Sequence, residues 1–140
     1  MNIVSNTSPL IFLTKIGKLD FLNAYKISIP QQVFNEITFW KNKEKDYYLI
    51  LENWIRKNYI NTEKVEILKK LPKSLGEGER AAISLAIKKK VNVVLIDERK
   101  ARINAKLLGL RPKGTVAIIQ QQLLEKKITK KECKILVLEL

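Results

Sequence analysis

The sequence predicts an α/β fold on a mainly parallel sheet. Short apolar runs of strand length, Asn92–Ile96 the clearest, alternate with segments whose apolar residues recur at helical spacing. A helix separates each strand candidate from the next, which is the order that parallel crossovers need. The chain also has no internal repeat, low-complexity tract or Ser/Gly-rich linker, so one domain over residues 1–140 is expected.

Asn2–Ser5 reads as the first strand. Ser8-Pro9 then looks like a helix start, a hydroxyl cap with proline at the first helical position, for a helix Pro9–Ile16 stopped at Gly17. Leu19–Ala24 makes a second short helical turn, and Lys26–Ile29 a strand ended by Pro30, which also opens a helix reaching about Trp40. Lys41–Asp46 is charged and expected to be exposed, and Tyr47–Lys57 is helical with Leu51, Trp54 and Ile55 on one side. Val65–Leu68 reads as a strand and Leu71–Leu75 as a loop around Pro72. A helix Gly76–Lys89, the strand Asn92–Ile96 and a helix Glu98–Leu108 closed by Gly109 follow. Leu110–Lys113 reads as a strand, Gly114 precedes a helix Thr115–Glu125, and Thr129–Leu140 suits helix or strand equally.

Composition narrows the chemistry. The 140 residues include 27 Lys and Arg, 14 Asp and Glu and no histidine, for a net charge of +13. Without histidine there is no Ser-His-Asp triad, no Cys-His pair and no His-ligated zinc. The single cysteine, Cys133, excludes an intrachain disulfide and a four-Cys zinc site. Carboxylates, hydroxyls, basic side chains and hard metal ions remain. So large a positive charge points to a polyanionic partner, nucleic acid or an acidic protein. The plainer reading is a lysine-rich, thermophile-like surface. Apolar runs such as Pro9–Leu13, five residues long, fall far short of the ~20 that span a bilayer. No basic segment precedes an apolar stretch at the N-terminus, so a cytoplasmic protein with no membrane partner is expected.

The functional argument starts from polar groups in apolar places. On the helix Gly76–Lys89, Glu79 shares its stripe with Ala82, Ile83 and Ala86, whereas Glu77 aligns with Arg80, Ala81 and Ser84. Glu79 in the first turn also complements the helix dipole, its plainer role. Glu36 shares a face with Val33, Phe39 and Trp40; an edge carboxylate reaching water is the ordinary alternative. Asp97 directly follows the apolar run Val93–Ile96, at the carboxyl edge where open α/β sheets bind ligands, although it also suits a cap for the next helix. Asn6 stands at the equivalent edge of the first strand, where an Asx-type turn is the simpler use. If Asn6, Glu36, Glu79 and Asp97 converge, their carboxylates repel and a divalent cation resolves the repulsion. Oxygen-only ligands suit Mg²⁺ or Mn²⁺.

Four segments in this order carry a resemblance: Val4-Ser5-Asn6-Thr7-Ser8-Pro9-Leu10-Ile11; Ile29-Pro30 through Val33 to Glu36-Ile37; Leu75-Gly76-Glu77-Gly78-Glu79-Arg80-Ala81-Ala82; and Leu95-Ile96-Asp97 through Ala101-Arg102. Together with Leu108-Gly109-Leu110 and Gly114-Thr115, they resemble PIN-domain proteins, most closely the archaeal and bacterial DUF3368 subgroup related to the toxins of VapBC-type toxin–antitoxin pairs. The resemblance covers Met1 to about Leu124. It implies a three-layer α/β/α sandwich with four or five mainly parallel strands, and a metal-dependent ribonuclease site. By position the four sites of that centre fall on Asn6, Glu36, Glu79 (Glu77 less favoured) and Asp97, with Ser8 at the hydroxyl two residues after the first. Asn6 departs from the usual aspartate; its carbonyl oxygen can ligate a metal but brings no charge.

The expected function is therefore an Mg²⁺- or Mn²⁺-dependent endoribonuclease, the toxin of a toxin–antitoxin pair. Glu36, Glu79 and Asp97 are its catalytic residues, Asn6 joins them as a metal ligand, and Ser8, Arg99 and Arg102 bind substrate. RNA, a small antitoxin-like protein and a second copy of the chain are the expected partners, with apolar Ile135–Leu140 available to a dimer. Arg80 and Lys100 are weaker phosphate ligands. Single-stranded or looped RNA is the expected substrate because its bases are accessible. Trp40, Trp54, Tyr47 and Tyr48 offer stacking surfaces, but core packing is their expected use. The alternative is a catalytically weak RNA-binding or protein-interaction module on the same scaffold, because Asn6 replaces an acid.

Overall fold

A computed structural model describes residues 1–43 and 45–140, with Lys45 described in its backbone only. Among them lie five strands and seven α-helices. In chain order these are β1 (Asn2–Ser5), α1 (Thr7–Lys15), a 3-10 turn (Leu19–Leu22), β2 (Lys26–Pro30), α2 (Gln31–Lys41), α3 (Lys45–Lys57) and β3 (Asn61–Glu63). Then come α4 (Glu77–Lys89), β4 (Val93–Leu95), α5 (Arg99–Leu107), β5 (Arg111–Lys113), α6 (Thr115–Leu124) and α7 (Lys130–Leu138).

The sheet has the order β3-β2-β1-β4-β5 and every pairing is parallel. Strand residues alternate between two cores. Ile3, Ile27, Ile29, Val93 and Leu95 face one cluster with apolar residues of α1, α2, α3, α6 and α7. Val4, Val94 and Ile96 face a second cluster built on α4 and α5. Helices on both faces of a parallel sheet make the three-layer α/β/α sandwich. Burial on both faces is why β4 reads as a continuous apolar run. The chain winds outward from β1 through β2 to β3, then returns through α4 to β4 on the other side of β1. The order therefore reverses between β1 and β4, and the carboxyl ends of these two strands open a crevice.

Several expected boundaries shift. Helix α1 starts at Thr7 with Asn6 as its cap residue, so Ser8 and Pro9 lie inside the first turn. The third strand is polar Asn61–Glu63, not Val65–Leu68. An edge strand can be polar, and Asn61 also bonds the Ser28 hydroxyl. The apolar Val65 and Leu68 instead pack on the second cluster, and side chains satisfy their backbone: Gln32 donates to the Val65 carbonyl and Ser84 accepts from the Leu68 N–H. The ambiguous C-terminal segment is helix, opened by a capping box between Thr129 and Glu132. The charged stretch Lys41–Asp46 includes Glu44, which lies outside the described residues.

Core packing fails for two of the four aromatics and for Phe39 besides. Phe39, Trp40 and Tyr47 are 54%, 36% and 46% exposed. Trp54 and Tyr48 pack partly buried against the first cluster.

Candidate active site

Asn6 leaves the end of β1 with its backbone N–H on the Leu95 carbonyl of β4, so the crevice between these strands begins at Asn6. The residue is buried, 2% exposed. Its Nδ2 donates to Glu79 Oε2 at 3.0 Å, while its Oδ1 is buried without a partner. A buried carbonyl oxygen normally finds a donor, so this one is an exception that calls for a cause.

Glu36 comes from the second turn of α2. Its Oε2 accepts from the Thr7 hydroxyl at 2.9 Å, which ties α2 to the start of α1. Burial pushes the Glu36 carboxyl above its ordinary range; the Thr7 hydrogen bond opposes this, and the charges of Glu79 and Glu77 add to it. Glu79, in the first turn of α4, also accepts from the Gly76 N–H at 3.3 Å. This is half a capping box, since glycine has no side chain to complete it.

Gly78 sits where these groups meet. A Cβ there would stand 2.8 Å from Asn6 Oδ1 and 3.0 Å from Glu36 Oε2. The bare Cα thus leaves a cradle flanked by two acceptor oxygens, one of them unpartnered. A cleft of about 360 Å³ opens beside it, lined by Gln32, Asn35, Glu36, Gly76, Glu77, Gly78 and Glu79.

Asp97 leaves β4 on the other side of the crevice, and its carboxylate is held from α6. Oδ1 accepts from the Thr115 N–H at 2.6 Å and Oδ2 from the Thr115 hydroxyl at 2.7 Å. Gly114 permits this contact, because a Cβ there would lie 2.9 Å from Asp97 Oδ1. The cap that Asp97 was free to make for α5 is made by Glu98, which accepts from the Lys100 and Ala101 N–H groups at 3.0 and 2.6 Å. Those two bonds hold the Glu98 carboxyl below its ordinary range.

Asn6, Glu36 and Glu79 are thus brought together at one crevice, while the Asp97 carboxylate is engaged by Thr115. Among the described residues, no three of Asp, Glu, Cys and His group closely enough to hold a metal. Glu77 lines the cleft beside Glu79. Ser8 is half-buried, and the hydroxyl that reaches a site carboxylate is that of Thr7. Arg102 turns a guanidinium N–H to the Asp97 carbonyl, whereas Arg99 is exposed. Lys100 reaches the Ser74 hydroxyl and Arg80 the Leu75 carbonyl.

Sequence reasoning missed Thr7, Gly78 and Thr115 as site-shaping residues. For Gly78 a signal was present: a glycine between two glutamates at a helix start, where a larger residue would suit the helix better.

The donor set fits a hard divalent cation. It is all oxygen, two carboxylates and a buried amide carbonyl, and the unpartnered Asn6 Oδ1 faces the Gly78 cradle beside Glu36. No helix among the described residues is long and apolar enough to cross a membrane. A family model, DUF3368, described as a PIN domain, matches residues 2–140. No curated protein matches the chain.

Proposed function

The chain belongs to the PIN-domain family, whose members are nuclease-type proteins that generally use divalent metal ions, and from that premise we propose that it is an Mg²⁺- or Mn²⁺-dependent endoribonuclease. One observation carries the reading: a buried, unpartnered amide oxygen and a carboxylate oxygen flank the same glycine at the sheet's switch point. Asn6, Glu36 and Glu79 would hold the ion, and Asp97, engaged by Thr115, would have to close on them from the neighbouring strand end to serve as a fourth ligand. When bound, such an ion polarises a phosphoryl oxygen and makes bound water more acidic.

The chain's own groups supply the rest. Thr7 fixes the Glu36 carboxylate, and Asn6 Nδ2 fixes Glu79. Thr115 holds Asp97 at the crevice with two bonds. Arg102 braces the Asp97 carbonyl, and exposed Arg99 is free to meet a phosphate of the bound strand. The proposal includes a toxin role with a small antitoxin-like partner and a homodimeric state. Support for these is the resemblance to VapC-type proteins, and co-purification with an adjacently encoded small protein tests them.

Asn6 favours a second reading, a weakly active RNA-binding or protein-interaction module. Its amide brings no charge, and it donates to Glu79 where an aspartate would compete for the cation.

RNA cleavage with Mn²⁺ or Mg²⁺, with EDTA and with Asp97→Asn decides between them. An asparagine at 97 keeps an acceptor for the Thr115 N–H and a partner for its hydroxyl, so this variant removes charge and leaves the fold. Cleavage should vanish with EDTA and fall about 100-fold or more in Asp97→Asn, beyond the usual loss from an outer-shell residue. Salt-sensitive RNA binding without cleavage would establish the second reading.

A further inference from the structure

The α2–α3 tip carries an aromatic surface that the proposed chemistry does not use. Phe39 and Trp40 meet edge to face at 5.3 Å between ring centres, and Trp40 stacks on Tyr48 at 6.3 Å with planes 30° apart. Trp40 remains 36% exposed and Phe39 54%. Lys43 lies over the Phe39 ring at 5.9 Å, and Lys15 over Tyr47 at the same distance.

Position gives this surface its meaning. Phe39 and Trp40 are three and four residues after Glu36 on α2, so all three share one helix face, with Glu36 about 5–6 Å from the aromatics at Cβ. Glu36 itself lines the cleft. The platform therefore begins one helical turn from the cleft, a distance that one nucleotide spans.

The last turns of α2 are also tied to α3. Buried Glu52 of α3 accepts from Lys41 at 3.0 Å and lies 3.7 Å from Arg56, with Thr38 at 3.5 Å.

We infer that Phe39 and Trp40 form a base-stacking platform for the unpaired nucleotide next to the phosphate held in the cleft. Lys43 beside Phe39 and the net charge of +13 match a polyanion, and the aromatic surface that Phe39 and Trp40 leave exposed matches a base. A paired base keeps its faces inside its own stack, so the platform selects single strands. This rests on the nuclease reading, in that the cleft is taken to hold the phosphate.

The test uses the full chain in an Asp97→Asn background, where RNA stays intact. Mixed-sequence single-stranded and duplex oligoribonucleotides are titrated and followed by anisotropy. Trp40 fluorescence is read with Trp54→Phe. Trp40→Ala should weaken single-strand binding about 5- to 150-fold, the worth of one stacked base, and leave duplex binding nearly unchanged. Trp40→Phe should restore most of it, and saturating single strand should quench Trp40.

An unchanged Kd in Trp40→Ala, an equal loss on duplex or absent quenching would overturn the platform. So would sedimentation showing a dimer that Trp40→Ala dissociates, or an acidic peptide that quenches Trp40 where RNA does not. Wild-type cleavage is scored separately. Cleavage with an unaltered Trp40→Ala titration sinks the platform alone. A platform-dependent Kd without cleavage sinks the nuclease reading alone.

Discussion

Asn6 and Gly78 show how single residues set the site. The Asn6 amide puts one donor on Glu79 and leaves one acceptor unpartnered. In Asn6→Asp the donor becomes a second carboxylate facing the first. Without metal this variant should lose about 1–2 kcal/mol of stability, the low end for a hydrogen bond to a charged group because Glu79 is partly solvated. Mn²⁺ should return the lost stability and raise cleavage above wild type; urea unfolding with and without the ion measures the first. A variant that is less stable in both conditions would mean that residue 6 serves only the fold. Gly78→Ala drives a methyl onto Asn6 Oδ1, which is too buried to move aside. About 1–3 kcal/mol of overpacking should follow, with loss of activity. Gly76→Ala meets only the end of the flexible Glu79 side chain, so thermal melts should show a smaller shift.

At the scale of elements, the settings of α2 and of the α5 cap shift the Glu36 and Glu98 carboxyls in opposite directions, and their pH effects have opposite signs. Burial raises Glu36 above the ordinary 4.5, so its folded form favours the proton. That contribution to stability is complete below 4.5 and is lost as pH rises through the folded value. Glu98 is held below 4.5 by its cap bonds; its contribution is present above 4.5 and is lost as pH falls through its folded value. Urea midpoints across a pH series should therefore separate the two. Glu36→Gln should be more stable than wild type at neutral pH, with a smaller decline as pH rises from 4.5. Glu98→Gln should be less stable at neutral pH and lose less on acidification. Matching profiles for the two variants would refute the assignment. The same elements show what the sequence could reveal. Helix α4 and strand β4 were legible because their apolar periodicity follows directly from burial. Strand β3 was not, since Asn61-Thr62-Glu63 has no apolar pattern and is a strand only because β2 offers an open edge. The tie from Asp97 to Thr115 was equally hidden: it spans 18 residues and depends on β5 lying beside β4.

For the whole molecule, alternation of helix and strand foretold a parallel α/β sheet, the resemblance to PIN-domain proteins implied its three layers, and the strand-end rule put Asn6 and Asp97 at the carboxyl ends of strands that prove to be neighbours. Charge points to a polyanion but not to where it would lie, because net charge carries no position. Salt dependence supplies the missing position. Each phosphate neutralised on a single strand contributes about −0.7 to the slope of log K against log salt. Arg99 is exposed two residues after Asp97, while Arg102 is turned to the Asp97 carbonyl. Arg99→Ala should therefore make the slope shallower by about 0.7 and weaken all sequences alike, which is how a lost phosphate contact behaves. Trp40→Ala should weaken binding with the slope intact, since a stacked base releases no counterion. Lysines that served only a heat-resistant surface would give neither result: Arg99→Ala would leave the slope in place, and single-stranded RNA would bind no better through Arg99 than without it.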